Sequence, residues 1–416
     1  MKAINNRFRY SNLHEISEKI LNDSAKWLLH SGVRIKNGPN CGGLYGWKNL
    51  NPPSYPFIYS ETTGYAITSY AYIYTELPKY EAALYAAKDS ANWLISNLYK
   101  KYKSSSVFLM QAGIVEAANF DQKGDLSNQT YAFDNGIIII GLLNLYKITK
   151  DQSILSAAEK MAKSLIDRFF DGSKLVAVLD GLCKPIESTN LRDEYGVKWS
   201  SVSGPYHAKL SLCLLELSSL TSNNYYATIS DSLCKFALKF QEADGRFITN
   251  RDQKSVTYLH PHLYACEGLI YHGIRQSNEI YTTAGIRGLI WAIGQINPST
   301  GGLPRNTKER STEQSDCLAQ LLRLSIICHS KIQELMKKNS FDSIDNIIEK
   351  LHLRLLDFYI SEGVDRGGIR YQLPLDTACS WCTMFTMQAL RLWTKRKEFK
   401  KKNNNRNNNE WIDYYI

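Results

Sequence analysis

No stretch of this 416-residue chain is apolar over the roughly 18 residues that a membrane-spanning helix needs, so no transmembrane helix is expected. The first twenty residues, MKAINNRFRYSNLHEISEKI, contain no apolar core of the kind a secretory signal carries. The nine cysteines are scattered and odd in number, which argues against a disulfide framework and for reduced thiols. Together these absences predict a cytoplasmic protein. There is no GxxxxGK[ST] to cradle a phosphate and no GxSxG to raise a nucleophilic serine. Strict apolar–polar alternation is rare, so few strands are expected.

The excess of basic residues is modest: 50 against 40, a net charge of +10. The polar stretch 395–416 holds seven basic and three acidic residues, so +4 of that total belongs to it. What remains is only mildly basic and shows no basic stripe, so no nucleic-acid partner is expected. A mildly basic body suits an acidic substrate such as a uronate-bearing glycan.

What the chain does have is helical periodicity almost throughout. The stretch Phe133-Asp134-Asn135-Gly136, continuing through Ile137 to Thr149, is apolar on nearly every face and so belongs to a fully buried helix. About twelve helices can be marked out. An amphipathic helix, a short glycine-bearing or β-like segment and a more apolar helix recur about six times. The apolar helices begin near residues 61, 133, 204, 259, 314 and 377. Six amphipathic and six apolar helices predict two concentric rings, with the apolar set inside. The domain expectation is one toroid over 1–394 and a basic, Asn/Lys-rich tail over 395–416 that is disordered in part.

The segments FDNGIIIIGLLNLYKIT, ADGRFIT, STGGLPRN and SWCTMFTMQALRLW resemble the repeat units of the six-hairpin glycosidase-like superfamily. The resemblance covers the chain from about Ser11 to Trp393 and implies an all-α fold, a single (α/α)6 toroid. It also implies a carbohydrate ligand at the mouth of the inner ring. That superfamily holds glycoside hydrolases, unsaturated-uronyl hydrolases, polysaccharide lyases and sugar epimerases. It has no single catalytic signature, so it transfers no catalytic residue.

If the inner helices run in one direction, the residues at their starts converge on one mouth. The candidates for chemistry are Asp134, Asp316, Glu61, His207, Tyr206 and His260. The candidates for substrate contact are Trp47, Trp199, Tyr65, His262, Arg305, Glu313, Tyr371 and Trp381, with Tyr195 and Asp376 close by in sequence. Aromatic faces stack on pyranose rings, carboxylates exchange protons, and an arginine clamps a uronate. Each acid also has a plain role available, as a helix cap or a first-turn residue favoured by the dipole. Each histidine has one as a core or capping group.

Two carboxylates across the mouth, Asp134 with Glu61 or Asp316, would support glycoside hydrolysis. Tyr206-His207 or His260-Pro261-His262 would instead support proton abstraction beside a uronate, giving elimination or C5-epimerisation. A non-catalytic glycan- or protein-binding toroid is the third reading. The pairs Cys379/Cys382 and Cys328-His329 are placed like core residues and not like zinc ligands. No metal or cofactor is expected, and the residues do not indicate an oligomeric state.

Overall fold

The segment Ala132–Thr149 shows why this chain needs two rings. Its residues from Ala132 to Leu143 are all buried, whichever way they point around the helix. Such a helix must be covered on every side. A computed structural model of the chain describes residues 6–77, 79–98, 107–115, 128–186, 192–337 and 343–403. Among these it shows how the cover is built.

The helices are α1 (Asn6–His30), α2 (Ser60–Glu76), α3 (Ala82–Asn97), α4 (Ala132–Thr149), α5 (Gln152–Phe169), α6 (Ser211–Thr221) and α7 (Asn224–Leu238). They continue as α8 (Leu259–Arg275), α9 (Glu279–Ile293), α10 (Ser315–Ile327), α11 (His329–Lys337), α12 (Ile344–Leu356) and α13 (Ser380–Asn403). Helix α2 packs on α4, α4 on α6, α6 on α8, α8 on α10, α10 on α13, and α13 back on α2. That closes the inner ring. Outside it, α3, α5, α7, α9 and α12 each cover the inner helix they follow, and α1 covers α13. The first helix of the chain is therefore the outer partner of the last. None of the described helices is long and apolar enough to cross a membrane.

Glycines let the inner helices approach. A Cβ on Gly141 would stand 2.5 Å from the carbonyl oxygen of Gly64, so α2 and α4 meet backbone to backbone. A Cβ on Gly268 would lie 2.1 Å from the carbonyl carbon of Ala208. No side chain survives at such distances, which is why these positions carry none.

The ends of the ring are joined by a small sheet. Strand Trp47–Leu50 pairs antiparallel with Thr377–Cys379, placing Trp47 opposite Cys379. Pro53–Ser54 and Ile369–Arg370 extend the sheet on either side. Beneath it, Lys48 Nζ donates to both carboxylate oxygens of Asp365 at 2.8 Å, and Trp27 Nε1 from α1 donates to the same carboxylate at 3.2 Å.

Several details differ from the reading of the sequence. Helix α11 is an extra element between α10 and α12. Cys328 is the C-cap of α10 and His329 opens α11, so that pair does not sit on an inner helix. The expected sixth helix over 204–220 starts as a 3₁₀ helix, Pro205–Leu210, and becomes α-helical only at Ser211. The β-like pieces shrink to Gly113–Val115 and Val178–Leu179. Helix α13 runs on through the start of the polar stretch to Asn403, and residues 404–416 lie outside the described part.

Candidate active site

The outer helices α5, α7, α9 and α12 each open on a capping side chain, Asp151, Asn223, Asn278 and Ser343, which accepts a hydrogen bond from a first-turn amide. The inner helices α2, α4, α8 and α10 do not. Their N-cap residues are Tyr59, Tyr131, Tyr258 and Gln314, all in extended conformation and none accepting a capping bond. The amide ends of these four helices, with their partial positive charge, therefore face whatever lies at the mouth. Asp134 is thus not a cap: it follows the Tyr131 cap by three residues and lies in the first turn of α4.

A cavity of about 610 Å³ occupies that mouth. Into it come Glu61 and Tyr65 from α2, Asp134 from α4, His260 from α8, Asp316 from α10 and Trp381 from α13. Trp47, Trp199, Arg305 and Tyr371 line it from the intervening loops. The structure therefore brings ten of the fourteen sequence candidates to one place. The sequence reading missed Lys198, Tyr59, Tyr131, Tyr258, Tyr264 and Asp193, which also line it. The tyrosine before each of α2, α4 and α8 was a usable signal, repeated in IYSE, TYAFD and TYLHP.

Glu61 and Asp134 form the most perturbed acid pair. Burial raises both carboxyls, and the Glu61 charge raises Asp134 further. They are not equivalent. Glu61 accepts hydrogen bonds from Tyr59 and Tyr65 and feels the charges of Lys209 and Lys198, all of which favour its carboxylate. Asp134 is pushed well above the usual range by burial and by Glu61, and Lys198 is the one side chain that opposes this. Its Oδ2 is buried without a hydrogen-bond partner among the described residues. Both carboxyls are therefore biased towards holding a proton, and the bias is stronger at Asp134. Lys198 loses some of its affinity for a proton through burial, while Asp134, Asp193 and Glu61 restore part of it.

Facing this pair is a second group. Asp316 Oδ2 lies 3.4 Å from His260 Nδ1 and accepts a 3.3 Å hydrogen bond from Trp381 Nε1. Burial pulls the His260 imidazole below its ordinary value, with Asp316 pulling the other way. The His260 ring packs 4.3 Å from the Tyr264 ring and 6.1 Å from Trp199. His260, Asp316 and Cys317 bring one nitrogen, one oxygen and one sulfur within 4.8 Å of one another. A metal would need Cys317 as a thiolate, yet burial and the adjacent Asp316 push that thiol well up, and the thiol is fully buried. The trio reads as a cluster of close polar groups, with His260 Nδ1 making no hydrogen bond among the described residues.

The rim is aromatic. Trp47 and Trp381 meet edge to face at 6.1 Å, and Tyr371 packs on Trp381 at 5.6 Å. Arg305 stands 5.7 Å from the Tyr258 ring, and Glu194 at 2.6 Å and Glu309 at 3.6 Å already engage its guanidinium. Tyr258 donates to Asp193 at 2.7 Å, and Tyr195 packs against the Tyr258 ring at 6.2 Å.

Four candidates do not reach the cavity. Tyr206 lies behind Trp199, with its ring 5.1 Å from that indole and its hydroxyl donating to the Val202 carbonyl at 3.0 Å. His207 is sealed in the core, where neither ring nitrogen finds a partner among the described residues and burial takes its pKa down to about 3. In a 3₁₀ helix positions three apart eclipse, so Tyr206 and Lys209 share a side and His207 is turned off it. His262 is a strut between α8 and α9: Nδ1 accepts from the Phe247 amide at 3.2 Å and Nε2 lies 3.0 Å from the Gly288 carbonyl. Glu313 points outward to α12 and receives Arg354 Nε at 2.7 Å. Asp376 is likewise absent from the cavity wall; its carbonyl accepts from the Leu50 amide at 3.0 Å.

No protein-family model matches the chain. No curated protein matches it either. Solved structures do. Cellobiose 2-epimerase from Spirochaeta thermophila superposes with a TM-score of 0.70 over 94% of this chain and 98% of that one, at 11% identity. Cellobiose 2-epimerase from Bacillus thermoamylovorans gives 0.68 over 91% and 100%, at 12% identity. Unsaturated glucuronyl hydrolase from Bacillus sp. GL1 gives 0.63 over 90% and 96%, at 11% identity. The chain is a six-hairpin (α/α)6 toroid. At such identities the likeness establishes the fold of the toroid, and the chemistry has to be argued from its own cavity.

Proposed function

We propose that this toroid is a carbohydrate-active enzyme that hydrolyses a glycosidic bond with Asp134 as general acid and Glu61 as its carboxylate partner. The observation that carries the reading is the divided pair at the cavity floor. Asp134 has one buried oxygen with no hydrogen-bond partner among the described residues and is pushed well above the usual carboxylate range, while Glu61 is raised less because two tyrosines and two lysines favour its charge. Glycoside hydrolysis asks for that division of labour. Asp134 protonates the leaving oxygen. Either Glu61 attacks the anomeric carbon as the glycosidic bond breaks, and water, giving its proton to Asp134, then releases the sugar from Glu61; or Glu61 takes the proton of an attacking water and exchange with solvent resets both acids. Trp47, Trp199 and Trp381 supply the flat faces on which a pyranose ring stacks. The structural neighbours support the substrate class, since they include a glucuronyl hydrolase and sugar epimerases.

For the finer point of substrate charge, Lys198 is the favoured contact of a uronate carboxylate. Arg305 is already engaged by Glu194, whereas the Lys198 ammonium stands among the catalytic acids. The test is a panel of neutral and uronate-bearing oligosaccharides scored for new reducing ends. Wild type should release them, and Lys198→Met should lose its preference for the uronate members. Release by a folded Asp134→Asn protein at the wild-type rate would remove the hydrolytic reading.

A second reading has its own observation. His260, whose imidazole burial pulls below its ordinary value and whose Nδ1 lies 3.4 Å from Asp316, is a base that would take a proton from a sugar carbon, as epimerisation or elimination requires. Deuterium uptake at a ring carbon, lost in His260→Ala and kept in Asp134→Asn, would favour it.

A further inference from the structure

Beneath the cavity, on the ring axis, lies a group of charges that the hydrolytic step does not use. Lys209 comes from the 3₁₀ lead-in to α6, Glu267 from α8 and Arg323 from α10. Lys209 and Glu267 are fully buried, and Arg323 is 3% exposed. Lys209 Nζ donates to Glu267 Oε2 at 3.0 Å, and Arg323 Nη2 donates to Glu267 Oε1 at 2.7 Å. Arg323 Nη1 also donates to Gln388 of α13 at 2.8 Å.

Two cations thus share the Glu267 carboxylate, and burial takes the Lys209 ammonium down to about 8 while Glu267 and Glu61 pull it back up. The Lys209 ammonium lies 4.4 Å from the Tyr264 ring centroid and 5.6 Å from that of Tyr65. Those two tyrosines meet hydroxyl to hydroxyl at 2.8 Å, and Tyr65 in turn donates to Glu61. A buried charge is poorly screened, so its field reaches the cavity floor through the tyrosine pair. Glu61 is the cavity carboxylate on which Lys209 acts.

We propose that Lys209 is a positioning residue for the carboxylate pair: its ammonium, sealed under the Tyr65–Tyr264 hydroxyls, holds Glu61 ionised and so leaves the shared proton on Asp134. The proposal rests on the hydrolytic reading for its importance, but it can be tested without turnover. A purely structural Lys209 would hold the ring together and leave the acids' protonation alone. A positioning Lys209 sets which acid carries the proton.

The experiment follows the infrared band of the protonated carboxyl against pH in Asp134→Asn, where Glu61 titrates without its acidic neighbour. The band is assigned by its disappearance in Asp134→Asn/Glu61→Gln. Adding Lys209→Met should let Glu61 bind its proton about tenfold more tightly, moving the midpoint up by about one pH unit. Adding Lys209→Arg, which keeps the charge, should leave the midpoint near that of Asp134→Asn. Lys209→Gln replaces the methionine variant if that one fails to give a cooperative melt. A midpoint unmoved by removal of the charge, in a folded protein, overturns the proposal. That outcome is separate from the fate of the hydrolytic reading, which falls only if folded Asp134→Asn or Glu61→Gln keeps wild-type turnover.

Discussion

At the scale of single residues, two buried ionisable groups one inner helix apart have opposite consequences. Asp134 keeps an unpartnered carboxyl oxygen facing the cavity. Removing this acid should therefore cost rate and not fold: Asp134→Asn should lower turnover by roughly 10²- to 10⁴-fold, as loss of a positioned acid does, in a protein that still melts cooperatively. His207 keeps two unpartnered nitrogens facing the core. His207→Leu removes buried polar atoms that gain nothing, so it should leave turnover unchanged and stabilise the fold by about 1 kcal/mol, read from a denaturant midpoint. If His207 were the proton abstractor considered from the sequence, that variant would be inactive. Nothing in the letters Tyr-His at 206–207 distinguishes the two fates. The 3₁₀ winding of Pro205–Leu210, which aims Lys209 at the axis and His207 away from it, does.

At the scale of elements, the division between rings is written in the helix starts. The outer helices α5, α7, α9 and α12 end their amides on Asp, Asn or Ser, whereas the inner helices α2, α4 and α8 begin after a tyrosine and keep their amide ends for the mouth. The tight contacts of inner helices are as specific. Gly268→Ala would drive a methyl into the Ala208 carbonyl, within 2.2 Å of its oxygen. Since α8 and the 3₁₀ lead-in carry Glu267 and Lys209, the strain falls on the charge cluster as well. We expect a loss of about 1–3 kcal/mol, the usual cost of overpacking, measured by chemical denaturation. Ala292→Gly on the outer ring would test the contrast: it removes a methyl instead of adding one and should cost about 1 kcal/mol through helix propensity.

At the scale of the whole molecule, the closure of the ring and the response to acid are collective. Lys48 on the sheet, Asp365 before it and Trp27 on α1 join the two ends of the chain. Asp365→Ala strands a buried ammonium and should cost about 3–5 kcal/mol, seen as a lowered, still cooperative melt. Acid acts through buried imidazoles. Burial takes His207 and His352 down to about 3 and His262 to about 4, so all three are neutral when folded and charged when unfolded below about 6.5. Their stabilisation is complete above that pH and is lost as pH falls, by about 1.4 kcal/mol per unit for each. Asp134 runs the other way, since its raised carboxyl binds a proton in the folded state first. The imidazoles outnumber this opposing carboxyl, so stability falls as pH drops below 6.5, and Asp134→Asn should steepen the decline in thermal stability over that range.

Helix count, the two rings and the six-fold repeat were legible in the sequence because burial on every face leaves a period-independent apolar run, as in FDNGIIIIGLL. So were Glu61, Asp134, His260 and Asp316, because a helix start places its first-turn side chains at the helix end whatever surrounds it. Which way a side chain turns about its helix was not legible: His262 and Glu313 sit at helix starts too, yet face the outer ring. Nor could Lys198 or the Lys209–Glu267–Arg323 cluster be seen, since their partners lie up to 137 positions away (Lys198 to Glu61) and only ring closure makes them neighbours. Local sequence sets what each helix buries. The closed ring sets which charges share a low-dielectric space, because only closure brings residues from six hairpins together away from water.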